Sequence, residues 1–188
     1  MIENALRFIK QQLDQHLESQ FNLNDSAVIV NALIGFEGVA PKENINKVVI
    51  TMINLDHELG DQYCSTQRRS SEPEIATANP VQCFNLDLLF TAYFFDYQQS
   101  LKYLSSTIGF FQANSSFNLH NTVGKPDAVS SLTFEIENTS LLDRHNLWSV
   151  MGARYQPSII YKVRHITIGY EPVNTVDQSV QVISAELN

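Results

Sequence analysis

Positive charge is scarce in this sequence of 188 residues. Twelve Lys and Arg residues stand against 20 Asp and Glu residues, which leaves a formal net charge of −8 at pH 7. The only adjacent basic pair is Arg68-Arg69. Proteins that bind nucleic acids neutralise phosphates with clustered Lys and Arg side chains. The composition therefore excludes a general nucleic-acid binder and favours a soluble protein or one that meets a basic partner surface.

Charge of either sign is also low. Charged residues make up 17% of the chain, whereas about 25% is usual for globular domains. Apolar residues make up 44%, and Asn, Gln, Ser and Thr are abundant. A chain with so few charges either keeps much of its surface polar and uncharged or covers that surface with partners.

Cysteine and long apolar runs are scarce as well. Cys64 and Cys83 are the two cysteines and form no CxxC pattern, so we expect free thiols in a reducing compartment. No run approaches the roughly 18 apolar residues that a membrane-spanning helix needs. The opening residues MIENALRFIKQQLDQHL lack the apolar core of a signal peptide. The expectation is synthesis in the cytoplasm without a signal peptide, and no direct membrane insertion.

Catalytic and metal-binding motifs are missing from the sequence. It contains no G-x-S-x-G elbow, no P-loop and no G-x-G-x-x-G turn. The best metal-like cluster is His57 between Asp56 and Glu58, which we interpret as an exposed strand end rather than a metal site. The residues therefore predict no enzyme, no cofactor and no metal.

The spacing of apolar residues predicts three helices and five main strands. The helices are expected at 2–20, 97–112 and 141–151. The strands are expected at 27–34, 47–58, 81–95, 131–138 and 158–170, with a short additional strand at 117–120. The polar stretch 59–80 is predicted to be a long loop, either a contact loop or a poorly ordered one.

Two helices have a defined pattern along their length. The first helix repeats apolar residues on one face and turns its charged residues away: Ile2, Leu6, Ile9, Leu13 and Leu17 against Glu3, Lys10, Asp14 and Glu18. The second repeats Leu101, Leu104, Ile108 and Phe111. Asp96, three residues before Gln99, has the spacing of a capping box for this second helix.

This order of elements predicts an α+β fold, with a mainly antiparallel sheet and helices packed on one face. We expect one compact domain over residues 1–170. Residues 171–188 are polar apart from a strand-like alternation at 178–187, so we expect a C-terminal arm.

The stretch LLDRHNLWSVMGARYQPSIIYKVR (141–164) contains the only Trp of the chain. Ser140 is predicted to cap its helix, with Asp143 at the third helical position. Leu141, Trp148 and Met151 fall near one face. Gly152 suits a left-handed helix exit, and Pro157 fixes the backbone where the last strand begins. We expect Trp148 to be buried between helix and sheet.

Two phrases of the sequence resemble a known family. One contains Tyr97, Leu101, Leu104, Ile108, Phe110, Phe111 and Gln112. The other runs from Asn146 to Arg164 and contains Trp148, Gly152, Tyr155, Pro157, Tyr161 and Arg164. Over residues 1–170 the chain resembles the N-terminal domain of the cap, or tube-terminator, proteins of extracellular contractile injection systems. These systems are phage-tail-like particles with an inner tube, a sheath and a baseplate.

The resemblance implies a structural protein with a phage tail-terminator-like fold. Such a protein forms a ring, a hexamer in the family, on the end of the inner tube far from the baseplate. It ends polymerisation and anchors the last sheath ring. The implied partners are other copies of itself, the inner tube protein and the sheath protein, and a second cap protein is a further candidate. The alternatives are a neck, connector or baseplate adaptor protein of a similar particle, and an enzyme whose site the sequence does not reveal.

Candidate contact residues follow from this reading. The loop 59–80 and the tail 173–188 are natural contact elements, and the alternation of Val180 and Val182 favours a strand that the tail adds to a neighbouring protein. A closed ring needs two different patches that meet head to tail. The candidates for ring or sheath contact are the polar faces of the first helix and of the Trp helix, with Arg144, His145 and Arg154 near acidic partners.

Overall fold

The computed structural model describes residues 2–58, 82–118 and 131–168. Its helices are α1 (Ile2–Phe21), α2 (Tyr97–Ala113) and α3 (Leu141–Met151). Its strands are β1 (Val28–Val30), β2 (Lys47–His57), β3 (Gln82–Tyr93), β4 (Ser116–Asn118), β5 (Ser131–Ile136) and β6 (Ser158–Ile168). All three helices and the short fourth strand are confirmed, but the predicted strand 27–34 shortens to three residues.

The strands form one six-stranded sheet in the order β1-β2-β3-β6-β5-β4. Four of the five neighbouring pairs are antiparallel, and only β1 and β2 pair in parallel. The long strands β2, β3 and β6 form the centre. The expected α+β fold with a mainly antiparallel sheet is therefore confirmed.

The helices α1 and α2 cover one face of the sheet, which we call the first face. Successive residues of a strand point to opposite faces, so Leu86, Leu88 and Phe90 of β3 reach this side together. An aromatic group connects α2 to the central strands, with Phe111 5.0 Å from the ring centroids of both Phe90 and Tyr161. Edge-on and offset aromatic pairs add stability beyond their buried area, so this group fixes α2 on the sheet.

Helix α3 lies on the opposite side, which we call the second face. Its Trp148 packs in a separate cluster with Val49 of β2, Leu89 of β3 and Ile160 of β6. These strand residues alternate with the ones that face α1 and α2. The expectation that helices pack on one face therefore holds for α1 and α2, whereas α3 differs. The reason is that the central strands carry apolar side chains on both faces.

Asp14 of α1 is buried, although the helical pattern predicts that it turns away. Its Oδ1 accepts hydrogen bonds from the backbone N–H groups of Ala27 and Val28, at 2.7 and 3.1 Å. Its Oδ2 accepts a hydrogen bond from Ser26 Oγ at 2.5 Å, and Lys10 Nζ lies 3.4 Å away. The carboxylate thus fastens α1 to the start of the edge strand β1.

Leu101 and Leu141 are exposed, although the helical spacing places each of them on the same helix face as buried residues. Leu101 of α2 is 43% exposed and Leu141 of α3 is 82% exposed. The side of α2 that is buried carries Ser100, Tyr103, Ser106, Thr107, Phe110 and Phe111. The large aromatic rings set the orientation of α2, because they fill more of the core than the leucines would.

The caps and the cysteine also differ in part from expectation. The Asp96 side chain caps α2 as predicted, but it accepts from the backbone N–H of Gln98, at 3.0 Å.

Cys83 is buried at the start of β3 and is disulfide-bonded, so the expectation of free thiols is wrong. A sequence pattern cannot reveal such a pairing, because pairing depends on proximity in the folded chain. Cys64 lies outside the described residues.

Candidate functional site

The ends of α3 are fixed by local hydrogen bonds. The backbone N–H of Asp143 donates to Ser140 Oγ at 3.1 Å, and Ser140 Oγ donates to Asp143 Oδ2 at 2.6 Å. Gly152 ends the helix with a φ of 66°, and its N–H donates to the Ser149 carbonyl at 3.2 Å. Both predicted ends of the helix are therefore confirmed.

Trp148 is the main anchor of α3. It is the one residue of α3 that is buried, whereas Leu147 and Met151 are half-buried. The exposed Tyr155 packs edge-on against the Trp148 ring at 5.4 Å between centroids. Pro157 is buried, and its carbonyl accepts a hydrogen bond from Ala92 of β3 at 3.0 Å. The motif thus holds a mostly exposed helix through one large side chain.

The last two residues of the motif have separate structural roles. Tyr161 is buried on the first face, and burial raises the pKa of its phenol to about 12. Its hydroxyl has no hydrogen-bond partner among the described residues. Arg164 faces the other way and donates from Nε to Glu135 Oε2 at 2.9 Å, with its guanidinium 3.8 Å from Glu58. Arg164 therefore links β6 to β5 and to the end of β2.

A ladder of charged and amide side chains crosses the sheet beside Arg164. Asn54 Nδ2 donates to Asp56 and Asp87, at 2.9 and 3.0 Å. Lys162 Nζ lies 3.4 Å from Asp56 and 3.9 Å from Asp87. Burial opposes the charge on Lys162, but the carboxylates of Asp87, Asp56 and Glu137 outweigh it and raise the pKa of the lysine. The ladder contains more carboxylates than cations and gives this part of the molecule an acidic surface.

A groove runs beside α3. It has a volume of about 450 Å³, and its lining includes Leu33, Val39, Tyr93, Trp148, Arg154 and Gln156. Phe36 lies in the sequence between two residues of the groove lining, Ile34 and Gly38, and is fully exposed. The described lining of the groove therefore combines apolar surface with one cation, Arg154.

The structure describes only some of the predicted contact residues. Arg144 and His145 are exposed on α3, and Arg154 is exposed just after it. All three lie on the side of the molecule that carries Trp148. Val180, Val182, the loop 59–80 and the tail 173–188 lie outside the described residues.

Two exposed helix surfaces contain only one residue, His145, that the sequence suggested as a contact site. The first, the α2 stripe, consists of Tyr97, Leu101, Leu104 and Ile108; the first two are exposed and the last two half-buried. The second, the α3 outer face, consists of Leu142, His145, Asn146, Ser149 and Val150, all of them exposed. The helical repeats were visible in the sequence, but a repeat alone does not tell which side meets solvent.

The described residues offer no alternative chemical site. Among them, no group of three His, Cys, Asp or Glu side chains could hold a metal ion. His57 instead packs against Phe84, with 5.3 Å between ring centroids. Within residues 2–58, 82–118 and 131–168, no helix is both long and apolar enough to cross a membrane.

Two solved structures share this fold. One is the sheath/tube terminator of an extracellular contractile injection system, PVC, in the extended state. It matches with a TM-score of 0.52 and 18% identity, over 100% of this chain and 65% of that one. The other is the tube-terminating cap of the anti-feeding prophage, with a TM-score of 0.54 and 14% identity, over 95% of this chain and 60% of that one. The chain spans less than two thirds of either relative.

Sequence comparisons give the family directly. Comparison with curated protein sequences yields no match. The family model described as the Pvc16 N-terminal domain, however, matches residues 5–181, which is most of the chain. The chain therefore belongs to the Pvc16 N-terminal domain family.

Proposed function

We propose that this protein is the tube and sheath terminator, or cap, of a contractile injection system. It ends polymerisation at the baseplate-distal end of the inner tube and anchors the last sheath ring. The observation that carries the proposal is the fold shared with two terminator proteins over 95% or more of this chain, together with the family match. The protein acts through its surfaces and catalyses no reaction.

A ring of identical copies is the assembly that fits this role. A terminator must match a ring of tube subunits on one side and offer no matching surface on the other. We propose a hexamer, because the family that this chain resembles forms a sixfold ring on the end of the tube. Its partners are further copies of itself, the inner tube protein and the sheath protein, and it is a component of a phage-tail-like particle.

The contact elements of this assembly divide between the body and the arm. Residues 1–170 form the body, in which Arg144, His145 and Arg154 lie exposed around the Trp148 anchor and meet the ring or the sheath. Residues 171–188 form the arm, whose Val180 and Val182 support a strand added to a neighbouring protein. The loop 59–80 provides a further contact.

Electron microscopy of particles from the host, with and without the gene, tests the proposal. Tubes of uncontrolled length, or tubes without stable sheath, are expected in the deletion strain. Restoring the gene restores both features. Particles of normal length with normal sheath in the deletion strain would rule out the terminator role.

The neck, connector or baseplate adaptor remains the second candidate, and it differs in position along the particle. Labelling the protein in intact particles separates the two. A label at the end opposite the baseplate supports the terminator, whereas a label at the baseplate selects the adaptor.

A further inference from the structure

The α2 stripe and the α3 outer face lie on opposite sides of the sheet. Helix α2 packs on the first face through Phe110 and Phe111, and α3 packs on the second face through Trp148. Two copies related by a two-fold axis bring the same patch together, whereas a ring joins two different patches head to tail. Two unlike patches on opposite sides are the arrangement that a closed ring needs.

The α2 stripe has the composition of the centre of a protein interface, and the α3 outer face shares with it the absence of Lys, Arg, Asp and Glu. Such centres are depleted in charge and enriched in apolar and aromatic side chains. The α2 stripe carries no charged residue, and the nearby Lys102 is engaged 4.7 Å above the Phe21 ring. The α3 outer face carries apolar, small polar and imidazole side chains, and its Val150 is 87% exposed.

The backbone of α2 is open to close approach beside the stripe. Ser105 and Gly109 are exposed there, and a Cβ added at Gly109 would meet nothing within 4 Å. Glycine in an exposed helix interior destabilises the helix relative to alanine. Nothing within the described part of the chain requires this glycine, and a helix of another molecule could pack closely against it.

The two patches match in length and in charge when the helices run antiparallel. Leu101 and Ile108 are about 11 Å apart along α2, and Leu142 and Val150 are about 12 Å apart along α3. In that orientation Asp96, at the start of α2, comes beside Arg154, just after α3. In the parallel orientation Asp96 would instead meet Asp143 and the adjacent Arg144, whose opposite charges offset each other. The antiparallel arrangement is therefore favoured by charge complementarity.

We propose that the α2 stripe of one copy binds the α3 outer face of the next copy, with the helices antiparallel, and that this contact closes the ring. The inference rests on the proposed terminator function and adds the two surfaces that join neighbouring subunits. Burial of Leu101 and Ile108 against Leu142 and Val150 supplies the apolar centre, and the Asp96–Arg154 pair fixes the direction.

Site-directed cross-linking tests the contact. The full chain is made as Leu101→Cys and as Val150→Cys, and both variants are expressed together in the deletion strain. A short bifunctional maleimide is then applied to the purified particles. We expect cross-linked dimers only when both variants are present, and neither variant alone should give a dimer. The double variant should give a ladder that ends at the size of the ring.

Two controls make the result specific. Gln11→Cys, exposed on α1, replaces Leu101→Cys in the mixture and should give no dimer. The unsubstituted chain with its native cysteines sets the background. Dimers from Leu101→Cys alone or Val150→Cys alone would show a two-fold contact and overturn the proposal.

The outcomes separate this contact from the proposed function. If labelled protein caps the tube but the mixture gives no cross-link, the contact is wrong and the function stands. If the protein is absent from the tube end, the function fails, and the same mixture of purified chains decides the contact. Val150→Asp provides a second measurement: it is expected to keep the circular dichroism spectrum and lose the oligomers, and unchanged oligomers would overturn the proposal.

Discussion

Replacing Asp14 by alanine should destabilise the protein strongly, because this carboxylate satisfies two buried backbone N–H groups. Asp14 is 7% exposed, and Ala27 and Val28, whose N–H groups donate to it, are buried as well. A buried donor left without a partner costs about 1–3 kcal/mol. Some relaxation and water entry will offset part of two such losses. We therefore expect Asp14→Ala to lower the free energy of unfolding by about 3 kcal/mol.

The same contacts predict how related variants behave. Lys10→Ala removes only the partly exposed ion pair at 3.4 Å, and pairs of this kind contribute about 0–1 kcal/mol. Asp14→Asn keeps one oxygen acceptor for the two N–H groups and should cost about 1 kcal/mol. Asp25→Ala, at an exposed residue nearby, is the matched control and should stay within about 0.5 kcal/mol of the parent.

Denaturant unfolding followed by the fluorescence of the single Trp148 measures these differences. Thermal unfolding should agree, with the midpoint of Asp14→Ala lowered by about 6–12 °C, since 1 kcal/mol shifts a chain of this size by about 2–4 °C. A loss below about 1 kcal/mol for Asp14→Ala, or a loss equal to that of Lys10→Ala, would refute the reasoning. The carboxylate would then not be holding α1 to β1.

Three further perturbations test other parts of the structure. Burial raises the pKa of Tyr161 from 10.0 to about 12. The neutral phenol therefore stabilises the fold below pH 10, and this stability is lost as the pH rises toward 12. In denaturant titrations, Tyr161→Phe should be at least as stable as the parent at pH 8 and should lose less stability between pH 10 and 12. Gly152→Ala should cost about 1–2 kcal/mol because alanine is strained at a positive φ, whereas Gly109→Ala, in an open helical position, should gain about 1 kcal/mol; equal effects in thermal melts would contradict this contrast. Deleting 173–188 should preserve the melting curve and weaken ring or sheath assembly in pelleting assays, and an unfolded truncated chain would mean that the arm belongs to the core.

The sequence by itself determined the elements and their ends. Helical spacing and strand alternation are local properties, and so are the Ser140 cap, the left-handed exit at Gly152 and the start of β6 after Pro157. Each depends on a few neighbouring residues whose hydrogen bonds and allowed dihedral angles are set within one turn of chain. The segment 146–164, which carries the family resemblance, is also one continuous stretch of chain. For that reason the resemblance could be recognised without a structure.

Only the tertiary structure decided which side of each helix is buried and which face of the sheet each helix covers. Asp14 is buried because β1 brings two N–H groups to it, and Leu101 is exposed because the Phe110 and Phe111 rings take the core side of α2. Sequence spacing shows which apolar residues share a helix face. Which face becomes buried depends on the volume and the hydrogen-bonding groups of segments that are distant in sequence. The α2 stripe and the α3 outer face became visible as opposite surfaces only when the long-range strand order placed α3 across the sheet from α2.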